Sequence, residues 1–381
     1  MTETTRLLRD LVALPSINPM GRDMRGPEIY EAQVTNYLEE FFRGLGVPYE
    51  RQVVAPLRDN IVARFECPGA RRTLLLEVHQ DTVPADTMAI EPFGARIEQG
   101  RLYGRGACDV KGGMASMLAT FARLVREKPV AAMNVTLACT VDEEHTFLGV
   151  QRLTREGLAA DLAVIAEPTQ LHIVHAHKGV VRWTLTALGQ SCHSSTPEQG
   201  VNAIYNMAGL LIVIQQFAES LRTSRADPLL GPPTLSVGRI EGGTSVNTVP
   251  DRCRIEIDRR LIPGEDPLIA PHELDAYLRQ ATQLQVDFES SMPWLQAPAL
   301  APTGSEELIG MLGRAIDSVK GAHRVMPVPY GTDASTIAQT GIPSVVFGPG
   351  DIGKAHTCDE WVPLEEVEEA AEILYRLACA T

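Results

Sequence analysis

Short apolar runs rich in β-branched residues, RQVVA, NIVARF, TLLLEV, NVTLACTV and DLAVIA, recur between Arg51 and Ala166 and alternate with segments of helical periodicity. Strands and helices alternating in this way build a sheet flanked by helices. Two helices precede the first strand. Leu7, Leu8, Leu11 and Val12 recur at helical spacing until Pro15, and a second amphipathic stretch runs from Pro27, a favoured first-turn residue, to the stop signal Gly44-Leu45-Gly46. Further helices are expected from Lys111 to Arg126 and from Gly149 to Gly157.

At Gly179 the pattern changes. VVRWTLTAL reads as strand, Val201 to Glu219 as helix, TLSVGRI and CRIEIDRRL as strands, ELDAYLRQATQ as helix and QVDFES as strand. This β-α-β-β-α-β order is the signature of a ferredoxin-like split unit. MPWLQAPALAPTGS, rich in Pro and Ala, reads as a return linker. The α/β style then resumes with a helix from Glu306 to Lys320, a short helix near Thr332 to Gln339, the strand SVVFG and a final helix from Leu364. The chain is therefore expected to form an α/β domain from residues 1–177 and 298–381, with residues 178–297 inserted as a second domain. A length of 381 residues at 44% apolar content is ample for two cores.

A net charge of -14 repels polyanions, so nucleic acid and anionic membrane are excluded as partners and small molecules remain. The seven cysteines are scattered, without a CxxC pair, which fits a reducing compartment. MTETTRLLRDLVALPS lacks the basic head and apolar run of a signal peptide, and no segment reaches the ~20 apolar residues that span a bilayer. A cytoplasmic protein is expected.

The residues able to carry chemistry fall at strand ends. His79 follows TLLLEV, the pair Glu143-Glu144 follows VTLACTV and Asp142, Glu167 follows LAVIA, and His356 lies beyond SVVFGPG. In an open α/β sheet this edge is where side chains distant in sequence converge on a ligand crevice. Asp109, in the glycine-rich loop GRGACDVKGG, completes a set of two imidazoles and three carboxylates beside Glu143. Divalent zinc accepts that donor set, and so do cobalt and manganese. Cations would also remove the cost of crowding adjacent carboxylates. Asp81 is a candidate second partner for the His79 ring, or simply begins the turn DTVP.

Two tempting patterns fail. Ser194 and Ser195 have no G-x-S-x-G elbow around them, and Thr196-Pro197-Glu198 reads as the start of the following helix. The segment from Gly348 to Ala355 nearly matches a phosphate-binding loop, but Ala355 has no hydroxyl for magnesium and no nucleotide unit follows.

With these residues in place, the chain resembles the zinc aminoacylase and deacylase group that includes acetylornithine deacetylase, succinyl-diaminopimelate desuccinylase and glutamate carboxypeptidase. The resemblance covers nearly the whole chain and rests on HQDTVP, GRGACDVKGG, DEE, AEPT, CHSSTPEQGVNAI, GGTSVNTVP and GPGDIGKAHTCDE in that order. It implies a mixed-sheet di-zinc exopeptidase-like catalytic domain carrying an inserted ferredoxin-like lid that forms a homodimer. It further implies that His79 and Glu167 hold one zinc, that Glu144 and His356 hold the other, and that Asp109 bridges both. Glu143 is then the general base. By the same resemblance His193 donates a hydrogen bond to the tetrahedral intermediate across a dimer interface, an alternative to a plain surface-loop histidine.

Asn247 and Arg259 also resemble substrate-binding positions. Arg259 offers a two-pronged donor for a carboxylate, or is a solvated strand-edge charge. Lys178, Thr332 and Asp333 are further candidates. The GTDAS segment resembles the Thr-acid-Ala pattern of acetylornithine deacetylases rather than the Thr-Ser-Asp order of desuccinylases. Its acid would meet a cationic substrate side chain or cap the next helix. The expected reaction is hydrolysis of an N-acyl, preferably N-acetyl, amino acid. Desuccinylase, metallo-carboxypeptidase or dipeptidase activity is the alternative, and a non-catalytic amino-acid binder is a remote one.

Overall fold

The computed structural model describes residues 1–155, 157–281 and 286–380. The chain opens with α1 (Glu3–Val12) and α2 (Ala32–Leu45), followed by the hairpin β1 (Tyr49–Ala55) and β2 (Arg58–Phe65). Next come β3 (Thr73–His79), the small hairpin β4 (Arg96–Glu98) and β5 (Arg101–Tyr103), and α3 (Gly112–Glu127). β6 (Asn134–Thr140), α4 (Leu148–Arg155), β7 (Leu162–Ile165) and β8 (Ile173–His177) complete this half. The middle of the chain forms β9 (Gly179–Leu188), α5 (Ala203–Ser224), β10 (Thr234–Gly242), β11 (Arg252–Leu261), α6 (Ala270–Gln280), β12 (Phe288–Ser290) and β13 (Leu295–Ala297). It ends with α7 (Glu306–Lys320), β14 (Val325–Val328), α8 (Ala334–Ala338), β15 (Ser344–Val346), β16 (Trp361–Pro363) and α9 (Leu364–Ala378). No described helix is long and apolar enough to cross a membrane.

Two compact units result: 1–175 with 302–326 and 332–381, and 176–301 with 327–331. The sheet of the first unit has the order β1-β2-β6-β3-β7-β15-β8-β14 and is mixed. β3 runs parallel to both β6 and β7, and β15 parallel to β7, whereas β1 pairs antiparallel with β2, β2 with β6, and β8 with β15. Parallel strands are covered on both faces, which is why β3, β6 and β7 read as continuous apolar runs. On β3, Leu74, Leu76 and Val78 enter the core formed with α1, α2, α3, α7 and α9. The alternate residues Leu75, Glu77 and His79 are buried on the opposite face.

In the second unit the elements run β-α-β-β-α-β, with a sheet of order β10-β11-β9-β12 and β13 also paired to β9. Trp183, Leu185, Ile255 and Ile257 pack against Met207, Leu210, Ile214 and Leu274 of α5 and α6.

Some elements differ from the sequence-based reading. Pro27 does not open α2: the Tyr30 N–H donates to Ile17 O at 2.9 Å with φ at 69°, so residues 27–30 are held off helical geometry and the helix starts after Glu31. Thr196-Pro197-Glu198 does not open α5 either. Residues Pro197–Gln199 form a separate 3-10 turn, and Asn202 caps the helix by accepting the N–H groups of Ile204 and Tyr205 at 2.9 and 3.2 Å. The expected linker MPWLQAPALAPTGS contributes β13, whose Leu295 and Ala297 are buried as it pairs with Arg182–Val180 of β9. The end of the ELDAYLRQATQ segment, the start of QVDFES and Glu156 lie outside the described residues.

Candidate metal centre

His79 is the last residue of β3, Glu143 and Glu144 follow β6, and Glu167 follows β7, so three adjacent strands deliver their ends to one edge. The loop after β15 reaches the same edge because it packs tightly on the Glu167 segment. The Gly348 N–H donates to Thr169 Oγ1 at 3.1 Å, and a Cβ at Gly348 would lie 2.7 Å from the Glu167 carbonyl. His356 follows in that loop with φ at 60°, the left-handed region.

Asp109 ties the set together. One carboxylate oxygen, Oδ1, lies 3.1 Å from His79 Nε2, and the other, Oδ2, lies 3.3 Å from His356 Nε2. His356 Nε2 also meets Glu144 Oε1 at 3.1 Å. Donor atoms of His79, Asp109 and Glu167 lie within 4.8 Å of one another, and so do those of Asp109, Glu144 and His356. Two three-donor groups therefore share one carboxylate.

The donor set fits divalent cations. His79 Nδ1 donates to the Asp81 carbonyl at 3.0 Å, which leaves the Nε2 lone pair aimed at Asp109 Oδ1. An imidazole lone pair and a carboxylate oxygen face each other favourably only with a proton or a metal ion between them. Ligand atoms at about 2.1 Å from a tetrahedral zinc lie about 3.4 Å apart, close to the separations seen here.

The electrostatics point the same way. Burial opposes a charge on His79, yet Asp109, Glu143 and Asp81 outweigh it and hold the imidazole well above its ordinary pKa. Burial likewise opposes the charge on His356, but hydrogen bonds to Asp109 and Glu144 push it up to about 11. Burial holds the carboxyls of Glu143 and Glu167 well above their usual range, with Asp109 adding repulsion to both. A cluster that must bind protons to tolerate its own charge is one that metal ions can discharge.

The loop bearing Asp109 is clamped from behind. Glu360 accepts the N–H groups of Cys108 and Asp109 at 3.0 and 3.1 Å, and the buried Arg105 donates to its other oxygen at 2.5 Å. Lys111, also buried, donates to the Leu14 carbonyl at 2.6 Å. None of these supporting residues was singled out from sequence, although Arg105, Lys111 and Glu360 fall inside the quoted motifs.

Several candidates differ from expectation. The ring partner of His79 is the Asp81 main chain; the Asp81 carboxylate stands 3.6 Å off and instead accepts the N–H groups of Glu143 and Glu144, each at 3.2 Å. Asp333 precedes α8 without capping it, the cap to Ala334 N–H being Thr332 Oγ1 at 3.2 Å. Its carboxyl is buried beside Glu77 and Thr140, and burial, followed by the charge of Glu77, holds it well above the usual range. Arg259 shares the buried face of β11 with Ile255 and Ile257, so it is not a solvated edge charge; its Nη2 donates to Glu265 at 2.9 Å, while Nε and Nη1 are buried without a hydrogen-bond partner among the described residues.

In the second unit Lys178 donates to the Pro232 carbonyl at 2.6 Å. His193 and Asn247 are neighbours in exposed segments, His193 bridging to Thr248 while the Ser194 N–H donates to the Asn247 carbonyl at 3.1 Å. His193 Nδ1 accepts the Ser195 N–H at 3.1 Å, which puts the proton of the neutral ring on Nε2.

Residues 75–380 match peptidase family M20/M25/M40. The chain is 32% identical to an acetylornithine deacetylase of Myxococcus xanthus over 322 residues, covering 83% of this chain and 82% of the relative. It is 28% identical to an acetylornithine deacetylase of Proteus mirabilis (strain HI4320), over 97% of this chain and 95% of the relative. Its fold is similar to that of the M20 family metallo-carboxypeptidase Sso-CP2 from Sulfolobus solfataricus, with a TM-score of 0.80 at 21% identity over 100% of this chain and 99% of the other. The chain belongs to peptidase family M20/M25/M40 and is a hydrolase of amide bonds.

Proposed function

We propose that the chain is a two-zinc deacetylase of N-acetyl amino acids, with His79 and Glu167 holding one ion, Glu144 and His356 the other, and Asp109 bridging. The observation that carries this reading is the division of the Asp109 carboxylate, one oxygen facing His79 and the other facing His356. When bound, two zinc ions, or cobalt or manganese in their place, acidify water and polarise the amide carbonyl. Glu143, next in sequence to Glu144 but outside both donor groups, takes the proton of the attacking water and returns it to the leaving amine. The C–N bond then breaks to give acetate and a free amino acid.

The Asp81 carboxylate fixes the main chain of both glutamates. His193, with its proton on Nε2, is a ready donor to the developing oxyanion, and we assign it to the second copy of a homodimer. Lys178, Asn247, Arg259, Thr332 and Asp333 are assigned to substrate binding, Arg259 through the buried Nε and Nη1 that its bond to Glu265 leaves unpaired. The acetyl preference is supported by the two deacetylase relatives and by the GTDAS segment.

A substrate panel tests the reading: N-acetyl-ornithine, -citrulline and -lysine against N-succinyl amino acids and dipeptides. Faster turnover of an acetylated substrate is expected, and dipeptides leading the panel would replace the deacetylase by a dipeptidase. Glu143→Ala should lower kcat by roughly 10²–10⁴-fold while metal analysis still finds both ions. Unchanged turnover in that variant would remove the proposed base, and absence of turnover in wild type would favour a binder.

A further inference from the structure

A buried polar cluster lies behind the turn that carries Glu143 and Glu144. Arg58, on β2, is 7% exposed, while Asn18, Glu31 and Asp142 are fully buried and Asp81 is 1% exposed. Arg58 Nε donates to Glu31 at 2.9 Å, and Nη1 donates to Asp142 Oδ1 at 2.6 Å. The Asn18 amide donates to the same Asp142 oxygen at 2.9 Å and to Asp81 Oδ2 at 2.8 Å. Arg58 Nη2 stands 4.0 Å from that Asp81 oxygen, and the Tyr30 ring covers the guanidinium at 5.0 Å. Asp81 in turn receives the N–H groups of Glu143 and Glu144.

Burying one cation among three carboxylates is a poor way to stabilise a fold, since apolar side chains of similar volume commonly do as well or better. What apolar packing cannot do is aim two consecutive N–H groups. Asp142 itself has φ at 68°, a conformation uncommon for a non-glycine residue. Its side chain is held by Arg58, Asn18 and Thr146. The direction in which Glu143 and Glu144 leave β6 is thus set by a relay that begins at Arg58.

We infer that Arg58 is a positioning residue for amide hydrolysis: through Asp142, Asn18 and Asp81 it fixes the turn from which Glu143 and Glu144 act. The inference rests on the roles proposed above for those two glutamates. Its geometry depends on the planar fork, because a single ammonium cannot bond Glu31 along one edge and Asp142 at the other end.

Arg58→Lys keeps the charge and removes the fork, so it is the informative variant. For the fastest N-acetyl substrate, kcat should fall about tenfold or more with KM held within about twofold, and affinity for one of the two zinc ions should weaken about 10- to 100-fold. Affinity for the other ion should stay near wild type, a split that general loosening of the fold would not produce. If Arg58→Lys does not fold, Asn18→Ala cuts the same relay with Arg58 left paired to Glu31, and the same changes are expected. Wild-type kcat and zinc affinity in a folded variant, or a loss confined to KM, would overturn the inference. Glu143→Ala measured alongside separates the two ideas. A dead Glu143→Ala with a normal Arg58→Lys defeats only the positioning role, and an active Glu143→Ala defeats both.

Discussion

His79 and His177 show how far neighbours, rather than burial, decide the state of a side chain. Both are buried, and both present Nδ1 to a main-chain carbonyl, Asp81 O at 3.0 Å and Lys178 O at 2.9 Å. Carboxylates surround His79 and hold its pKa well up, whereas burial alone carries His177 down to about 4. Below pH 6.5 an unfolded chain protonates this imidazole and the folded chain does not, so stability is lost as the pH falls from 6.5 towards 4. At pH 5 that loss is about 2 kcal/mol. Urea unfolding at pH 7.5 and pH 5, with metals stripped from both proteins, should therefore show a smaller acid loss in His177→Gln than in wild type. Equal acid losses would show that His177 does not stay neutral in the fold.

At the scale of elements, the turn from β6 into α4 is held by contact too close for a side chain. Gly149 N–H donates to the Val141 carbonyl at 3.0 Å, and Asn60 bonds both the Gly149 carbonyl and the Val141 N–H. A Cβ at position 149 would lie 2.3 Å from Val141 O. Gly149→Ala must push α4 off the strand end from which Glu143 and Glu144 depart. A stability loss of about 1–3 kcal/mol is expected, together with reduced kcat at saturating zinc. Wild-type unfolding and wild-type kcat would show that the turn yields freely. The strands that deliver the centre were legible because β3, β6 and β7 are continuous apolar runs, buried on both faces. β13 was not, since Leu295–Ala297 is short and framed by prolines, and its pairing comes wholly from β9. Arg259 carried a signal that was passed over: it is in phase with Cys253, Ile255 and Ile257, so the period of the strand placed it on the buried face. The Arg58 relay left no such signal, because its members come from separate segments that meet only in the fold.

For the molecule as a whole, the surface of the second unit is the place to test assembly. β10 ends its sheet, so its outer edge has no strand partner among the described residues, and unpaired edges invite pairing with another chain. Ile204, Tyr205 and Ile212 of α5 are 39%, 76% and 61% exposed, and positions 205 and 212 recur at helical spacing. Ile240 on β10 is 56% exposed, so the edge strand adds apolar surface of its own. A stable interface buries about 1,200–2,000 Å², within reach of a helix of 22 residues together with a strand of 9. We assign the interface of the proposed homodimer to this face, and the assignment of His193 to the opposite copy makes turnover depend on it. Tyr205→Glu combined with Ile212→Glu should convert a dimer to a monomer in sedimentation equilibrium. The monomer should keep both zinc ions, whose donors all lie in the first unit, while kcat falls about 10²-fold or more for want of the oxyanion donor. A monomer with wild-type kcat would remove His193 of the second copy from the reaction, and a variant that remains dimeric would move the interface off α5.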